Sequence, residues 1–424
     1  MRTCTEKRKI VCIGAGASGL FFSLNCADED HDVILIDQNA KAGRKIYISG
    51  KGRCNITNTR QWSEFATHVH PRSNFVRSAF FNFSNIDTID YFNSIGLETV
   101  ETQGCRIFPK SMRAFDVVDV LVGSMRRSGV SLVTDAEILT ATKGPDGFVC
   151  LYNDLSNPRQ ISTVQLMSDA MIIATGGLSY PATGSTGKGY DLAVSFGHKV
   201  NKCFPTLTAL MPKQYSSDLY DVELKNVGLN LFVGRDLVQS EMGDLTFTED
   251  GIEGSLGFRV SRKAVHALEN GSSVELVIDL KPAVPLAELR ERVKREVAAF
   301  KWDTPVINEA RMKKLLRKFM PSELIGPFYE MNQNLSIHNL AERLKDWRFP
   351  IAKHAGFRRA VATAGGVSLD EVVARTMQSK ICKGLFFAGE VLDLDGDTGG
   401  YNLQMAFSTG TLAGQSAAKY VSSL

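Results

Sequence analysis

The sequence predicts an α/β protein, a doubly wound Rossmann-type parallel sheet interrupted by an inserted domain of mixed strands and helices. Three observations carry this expectation. The apolar run KIVCI leads into glycines 14, 16 and 19 and then a helical stretch, a second apolar run (DVILI) ends at Asp37, and the parallel-sheet pattern stops near residue 198 and resumes near residue 352. The expected bounds are 1–198 and 352–424 for the sheet domain, with an insertion at 199–351 that is β-rich over 199–282 and helical over 283–351.

In chain order, Lys9 to Ile13 reads as a buried parallel strand, Ala15 to about Ala27 as a helix, and Asp32 to Ile36 as a second strand, which makes a βαβ unit. Lys41 to Asn58 is rich in Gly, Lys, Arg and Asn and reads as a loop. Helices are expected around Asp87 to Ile95 and Ala114 to Ser128, and strands over Ser131 to Thr142 and Phe148 to Tyr152. SDAMIIATGG adds an apolar strand ending in glycines. From about Asn201 to Ile278 the pattern is one of short alternating strands, such as LNLFVG and SVELVIDL, and from about Leu286 to Trp347 it is helical. GLFFAGE then reads as a strand and NLQMAFSTGTLAGQSAAKYV as a helix.

At 424 residues the chain exceeds the size at which one core keeps growing, so two or more domains are expected. The net charge of +3 is dispersed, with no arginine-rich arm, so nucleic acid is not an expected partner. The polar start and the short, glycine-broken apolar stretch behind it fit neither a signal peptide nor a membrane span, and a cytoplasmic location is expected. The eight cysteines form no C-x-x-C pair and the seven histidines no H-x-x-x-H spacing, so neither a dithiol relay nor a metal site is expected.

The glycine spacing is weak evidence by itself, but its setting is specific. It follows a strand and opens a helix, and Asp37 stands 18 residues past Gly19 at the end of the second strand. Gly14 permits the turn, Gly16 lets a pyrophosphate approach the backbone, and Gly19 allows close packing of helix on strand. Asp37 is placed to accept from an adenosine ribose, the alternative being a solvated strand end. Three further stretches extend the pattern. Ala42 to Asn58 sets Arg44, Lys45, Lys51 and Arg53 in a glycine-bearing loop where cations could reach the pyrophosphate, although a solvated basic loop would read the same. Met171 to Asp191 runs a strand into Thr175, Gly176 and Gly177, and is not a Walker A loop because Ala182 stands where the first glycine belongs. Gly384 to Gly414 repeats the order of strand, acidic turn, glycine pair and helix, which suggests a long ligand in two parts.

These stretches, with CRIFPKSMRAFDVVDVL and VATAGGVSLDEVVARTM, resemble the YhiN-like flavoproteins, also described as BaiN/RdsA-type FAD-dependent oxidoreductases, along nearly the whole chain. The resemblance implies an FAD-binding domain of the two-dinucleotide-binding-domain flavoprotein type, with a smaller inserted domain that is partly β-barrel-like and partly helical. It places the adenosine on Gly14, Ala15, Gly16, Ser18, Gly19, Asp37 and Gln38, with backbone near Ala136 and Glu137. Gly52, Cys54 and Asn55 then join Arg44, Lys45 and Arg53 around the cofactor, Gly389, Glu390 and Asp393 hold the ribityl side, and Gly400, Tyr401, Asn402, Leu403 and Gln404 open a helix toward the flavin's N1–C2=O edge. A helix N-terminus there favours the anionic reduced flavin. One departure is GDLTFTEDGIEGSLGFRVS, where Phe247 and Thr248 fit the family's pattern while Glu249, Glu253 and Leu256 do not.

Cys54 and His354 are the candidates for catalysis, and Tyr47, Ser49 and Thr363 for the pocket. The expected function is reduction of a small enone-like substrate with NADH or NADPH as a transient reductant. The alternatives are an oxidase of small amines using oxygen, and a non-catalytic FAD sensor or RNA-associated flavoprotein.

Overall fold

The computed structural model describes residues 7–302 and 308–424, so Cys4 lies outside the described residues. The chain forms two units, one from residues 1–205 and 361–424 and the other from 206–360.

The first unit is organised by a five-stranded sheet of β1 (Arg8–Ile13), β2 (His31–Ile36), β3 (Ser131–Val133), β4 (Ala170–Ile173) and β5 (Leu385–Phe387), in the order β5-β4-β1-β2-β3. Every pairing is parallel. Ile10 to Ile13 and all of β4 are buried, so these strands read as unbroken apolar runs rather than alternating ones. The first helix (Ala17–Cys26) and the C-terminal helix (Tyr401–Ser422) pack together at backbone distance. A Cβ at Gly410 would lie 2.4 Å from the Ser18 carbonyl oxygen, and one at Gly414 2.5 Å from that of Phe22. Only glycine permits this approach, which seats the start of the first helix against the middle of the C-terminal helix.

The expected strand from Ser131 to Thr142 is two strands. Asp135 adopts a left-handed backbone (φ 53°) and ends β3, after which Ala136–Gly144 joins an antiparallel meander with Gly147–Asp154 and Ser162–Ser168. Part of the expected loop over 41–58 is also ordered differently, as a short helix at Arg44–Ile48 and a 3-10 turn at Ser49–Gly52. Strands Val200–Thr206 and Ala362–Val367 pair where the chain leaves and re-enters this unit.

The second unit contains a closed six-stranded antiparallel barrel. In ring order its strands are Leu210–Pro212, Gly251–Glu253, Asp236–Thr248, Glu223–Val233, Val274–Asp279 and Trp347–His354, the last pairing back to the first. Leu229, Leu231, Phe247, Leu276 and Phe349 fill the interior. A sixteen-residue helix, Gly254–Glu269, interrupts the segment expected to be strands alone. Leu256, Val260, Ser261, Ala264 and Val265 form its buried face at three- and four-residue spacing, a period that the flanking strand patterns mask. Helices Leu286–Ala299, Ser322–Met331 and Leu340–Lys345 follow.

Candidate active site

The first glycine turn is built to leave backbone N–H groups free. Gly14 (φ 105°) donates its N–H to the Ile36 carbonyl (2.7 Å), and a Cβ there would lie 2.5 Å from the Ala174 carbonyl oxygen. At Gly19 a Cβ would sit 1.8 Å from the Gly14 oxygen, so the turn and the helix leave no room for a side chain. Gly16 is different. It caps the first helix in an ordinary extended conformation (φ −81°), no side chain caps the helix end, and a Cβ there meets nothing within 4 Å. An uncapped helix start beside open space is an anion cradle, because the first N–H groups have no partner within the helix.

Asp37 closes this turn. Its Oδ2 accepts from the Ala15 N–H (2.7 Å), and its Oδ1 from the Asn39 N–H and the Asn39 side-chain amide (both 2.8 Å). Burial raises its carboxyl above the ordinary range, while the three hydrogen bonds and Arg44 pull the other way. A carboxylate offers about four acceptor positions. One remains on Oδ2, free to accept a hydroxyl such as that of a ribose.

The basic loop divides its cations. Arg44 donates to the Asn39 side-chain oxygen (2.9 Å), and Arg53 lies over the Phe108 ring (5.4 Å). Lys45 turns inward, with Nζ 2.6 Å from Glu390 Oε2 and a further hydrogen bond to the Ser179 hydroxyl. Ser179 Oγ and the Thr363 N–H donate to Glu390 Oε1 (2.6 and 2.8 Å), while the Leu178 and Ser179 N–H groups donate to Thr363 Oγ1 (2.9 and 3.1 Å). One ion pair thus ties together the basic loop, the turn after β4 and the turn after β5. Gly177 is packed into this knot, since a Cβ there would lie 2.5 Å from Thr363 Oγ1. Thr175 and Gly176 (φ 74°) precede it, and a Cβ at Gly189 would run into Thr175 Oγ1.

The other residues expected at the site are placed as follows. Ser18 is buried beneath Gly389, whose N–H donates to Thr409 Oγ1 (3.0 Å). Gln38 donates to the Gly184 carbonyl, the Ala136 N–H donates to the Asp37 carbonyl (3.0 Å), and Glu137 accepts from Asn153 on the meander. Asp393 accepts from the Asn201 amide (2.8 Å). Gly52 has a left-handed backbone (φ 80°), and Asn55, in the amide orientation that satisfies its neighbours, accepts from the Gly400 N–H (3.0 Å). The C-terminal helix starts at Tyr401 behind Gly400 (φ 89°) with no side-chain cap. Leu403 is half-buried in its first turn, Asn402 folds back onto both backbone groups of Gly396, and the fully buried Gln404 side chain accepts from Thr57 Oγ1 (2.6 Å). Asn402 and Gln404 are thus engaged within the protein, and no side chain caps this helix start.

Cys54 is fully buried at φ 58°, and burial pushes its thiol up to about 12, which leaves little thiolate for nucleophilic work. Tyr47 is half-buried, and Ser49 donates to the Ile46 carbonyl. His354 lies in the second unit, with Nε2 3.2 Å from Glu269, and there Asp250 of the atypical TEDGIEG segment pairs with Arg358 and Arg359. Among the described residues no group of His, Cys, Asp and Glu is arranged to hold a metal, and no helix is long and apolar enough to cross a membrane.

Sequence reasoning missed a cluster beside the C-terminal helix. His68 Nδ1 lies 2.8 Å from Asp397 Oδ2, His70 Nε2 3.4 Å from Asp397 Oδ1, and the His68 ring stacks on Tyr401 (4.6 Å, 25°). The H-x-H spacing in THVHP was its only signal, and it lacked its carboxylate partner until folding supplied one more than 300 residues away. Burial opposes ionisation of Asp397, but hydrogen bonds and charge from His68 and His70 outweigh it and hold the carboxyl at about 2. A carboxyl whose folded value lies below the ordinary value of about 3.9 stabilises the fold above that pH and loses the contribution as pH falls towards 2, about 2 kcal/mol in all. Asp397→Asn is therefore expected to lower stability at neutral pH by about that amount and to flatten the acid limb of a stability profile below about pH 4. Thermal unfolding across this range measures both, and a variant with the wild-type acid limb would contradict the assignment.

Two uncapped helix starts, an open face at Gly16 and the spare acceptor position on Asp37 fit FAD. The comparisons with known proteins agree. The family model described as HI0933-like protein Rossmann domain matches residues 8–416. The chain is 30% identical to the 3-dehydro-bile acid delta(4,6)-reductase of Clostridium scindens, over 97% of this chain and 99% of that protein. It is 30% identical to the ribosomal RNA dihydrouridine synthase of Escherichia coli, over 95% and 96%. Among solved structures, 3-ketosteroid-delta4-(5alpha)-dehydrogenase from Rhodococcus jostii RHA1 matches with a TM-score of 0.51 at 14% identity, over 98% of both chains, a likeness of fold alone.

Proposed function

The chain belongs to the HI0933-like Rossmann-domain family of FAD-dependent oxidoreductases, and from that premise we propose that it reduces a carbon–carbon double bond conjugated to a carbonyl, with NADH or NADPH as reductant. One observation carries the proposal. The two relatives have names that sound unrelated, yet a 3-oxo bile acid unsaturated at carbons 4 and 6 and a uracil ring both present an alkene conjugated to a carbonyl. Similarity to both, at the same identity and over nearly full length, supports that bond as the substrate class.

The bound flavin would supply the two-electron chemistry, and the protein's part is to hold it and shape its surroundings. The first helix start and the Gly14 to Gly19 turn would take the pyrophosphate, and Asp37 the adenosine ribose. The start of the C-terminal helix would place N–H groups and a positive dipole end where negative charge develops on reduction. The Lys45–Glu390 pair fixes the relative positions of the three turns, so that both helix starts can serve one extended ligand.

The test is a visible spectrum of the purified protein, followed anaerobically. A flavin spectrum bleached by NADH or NADPH and restored by a cyclic enone is the expected result. A flavin that stays oxidised with either nucleotide would overturn the NAD(P)H assignment, and absence of flavin after reconstitution with FAD would overturn the cofactor. A second reading, a uracil in RNA as the substrate, is favoured by the relative named for ribosomal RNA and by the exposed Lys51 and Arg53 of the basic loop. It requires dihydrouridine to form in RNA, with binding that weakens steeply as salt rises.

A further inference from the structure

We propose that His68 donates the proton that accompanies this reduction, its ring oriented by Asp397 and seated against the first residue of the C-terminal helix. The inference rests on the reading of the site given above.

The ring is placed by backbone as well as by side chains. Val69–His70 pairs antiparallel with Asp395–Gly396, and the Asp397 N–H donates to the His68 carbonyl (3.0 Å). Asp397 is ionised at working pH, so it accepts from His68 Nδ1 and cannot itself supply a proton. This leaves Nε2 as the working atom, and no hydrogen bond among the described residues engages it. The imidazole is partly exposed, with 29% of its side-chain surface accessible, and it lies face to face with Tyr401 at the uncapped helix start.

The other titratable groups nearby are less suited. Burial pushes the Tyr401 hydroxyl up to about 12, despite nearby Arg60, and Cys54 is similarly raised. Glu390 has both oxygens engaged by Lys45, Ser179 and Thr363. His70 reaches Asp397 only at 3.4 Å. The remaining charged groups facing the cluster are Asp395, buried opposite His70 on the paired strand, and Arg60, itself paired with Glu64. Cys105 faces Tyr401 as well.

Reduction of the conjugated bond adds a hydride equivalent, drawn from reduced flavin, to the β-carbon, and a proton to the α-carbon. In the proposed step the His68 Nε2–H bond breaks as an O–H bond forms on the enolate oxygen; the enol so made tautomerises, its α-carbon taking a proton from solvent as the hydroxyl proton returns to solvent, and the ring regains a proton from solvent. Asp397 stays ionised throughout and holds the ring through Nδ1, the orienting role a carboxylate plays beside a catalytic histidine.

The test uses the full-length protein carrying FAD and p-chlorophenol, whose phenolate stands for the enolate and is read by a long-wavelength absorbance band with oxidised flavin. His68→Asn and His68→Gln are expected to keep their FAD and lose at least about tenfold in phenolate affinity. Variants that retain FAD and bind phenolate with wild-type affinity would overturn the proposal, and so would a wild-type flavoprotein that binds no phenolate. A wild-type protein that takes up no FAD would overturn the reading of the site together with this inference.

Discussion

Gly16→Leu is expected to yield a folded protein that no longer retains FAD, with affinity reduced at least about a hundredfold. The position separates the two roles of the glycine motif. A Cβ at Gly16 meets nothing within 4 Å and the backbone there is in an ordinary region, so the substitution costs the fold little. The leucine side chain occupies the space from which a pyrophosphate would reach the helix N–H groups. Two charge-assisted hydrogen bonds lost at about 1.5–3 kcal/mol each exceed a hundredfold in affinity. Gly19→Ala is the contrasting change, because its Cβ would lie 1.8 Å from the Gly14 oxygen and the turn itself must open. Flavin absorbance after reconstitution, measured beside circular dichroism, distinguishes the two. Full flavin retention by Gly16→Leu would mean that this turn is not the phosphate cradle.

Lys45→Met is expected to destabilise the first unit by about 2 kcal/mol and to weaken FAD binding as well. The side chains of Lys45 and Glu390 are 27% and 21% exposed, so removing the ammonium leaves a carboxylate largely out of water with only Ser179 and the Thr363 N–H as donors. The figure lies below that for breaking a fully buried pair because solvent still reaches both groups. Glu390→Gln in the same chain should recover part of the loss, since the neutral amide no longer needs the cation. A double-mutant cycle from denaturant unfolding gives the coupling directly. Additive effects of the two substitutions would show that the pair does not tie the three turns together.

Both predictions concern residues that the sequence singled out. The glycine turn was legible because its requirements are local. The positive φ of Gly14 and the contact of Gly19 with the Gly14 oxygen arise within one strand-turn-helix unit, and Asp37 follows the strand paired beside it. Lys45 was read as a cation that could reach a pyrophosphate, while its pairing with Glu390 spans 345 residues and follows from bringing together the turns after β2, β4 and β5. His68 and Asp397 were not read at all, for the same reason carried further.

The sequence by itself determined the parallel sheet, its interruption and resumption, and the order of the phosphate-type turns, because hydrophobic period and glycine placement are properties of contiguous residues. The barrel strands could be read as strands, but their closure into a ring depends on Trp347–His354 pairing back to Leu210–Pro212. Tertiary structure alone decided which polar groups stay free for a ligand. A side chain's availability depends on what else lies within hydrogen-bond distance, and folding gives Gln404 and Glu390 partners inside the protein while leaving the backbone of two helix starts, and one nitrogen of His68, without them.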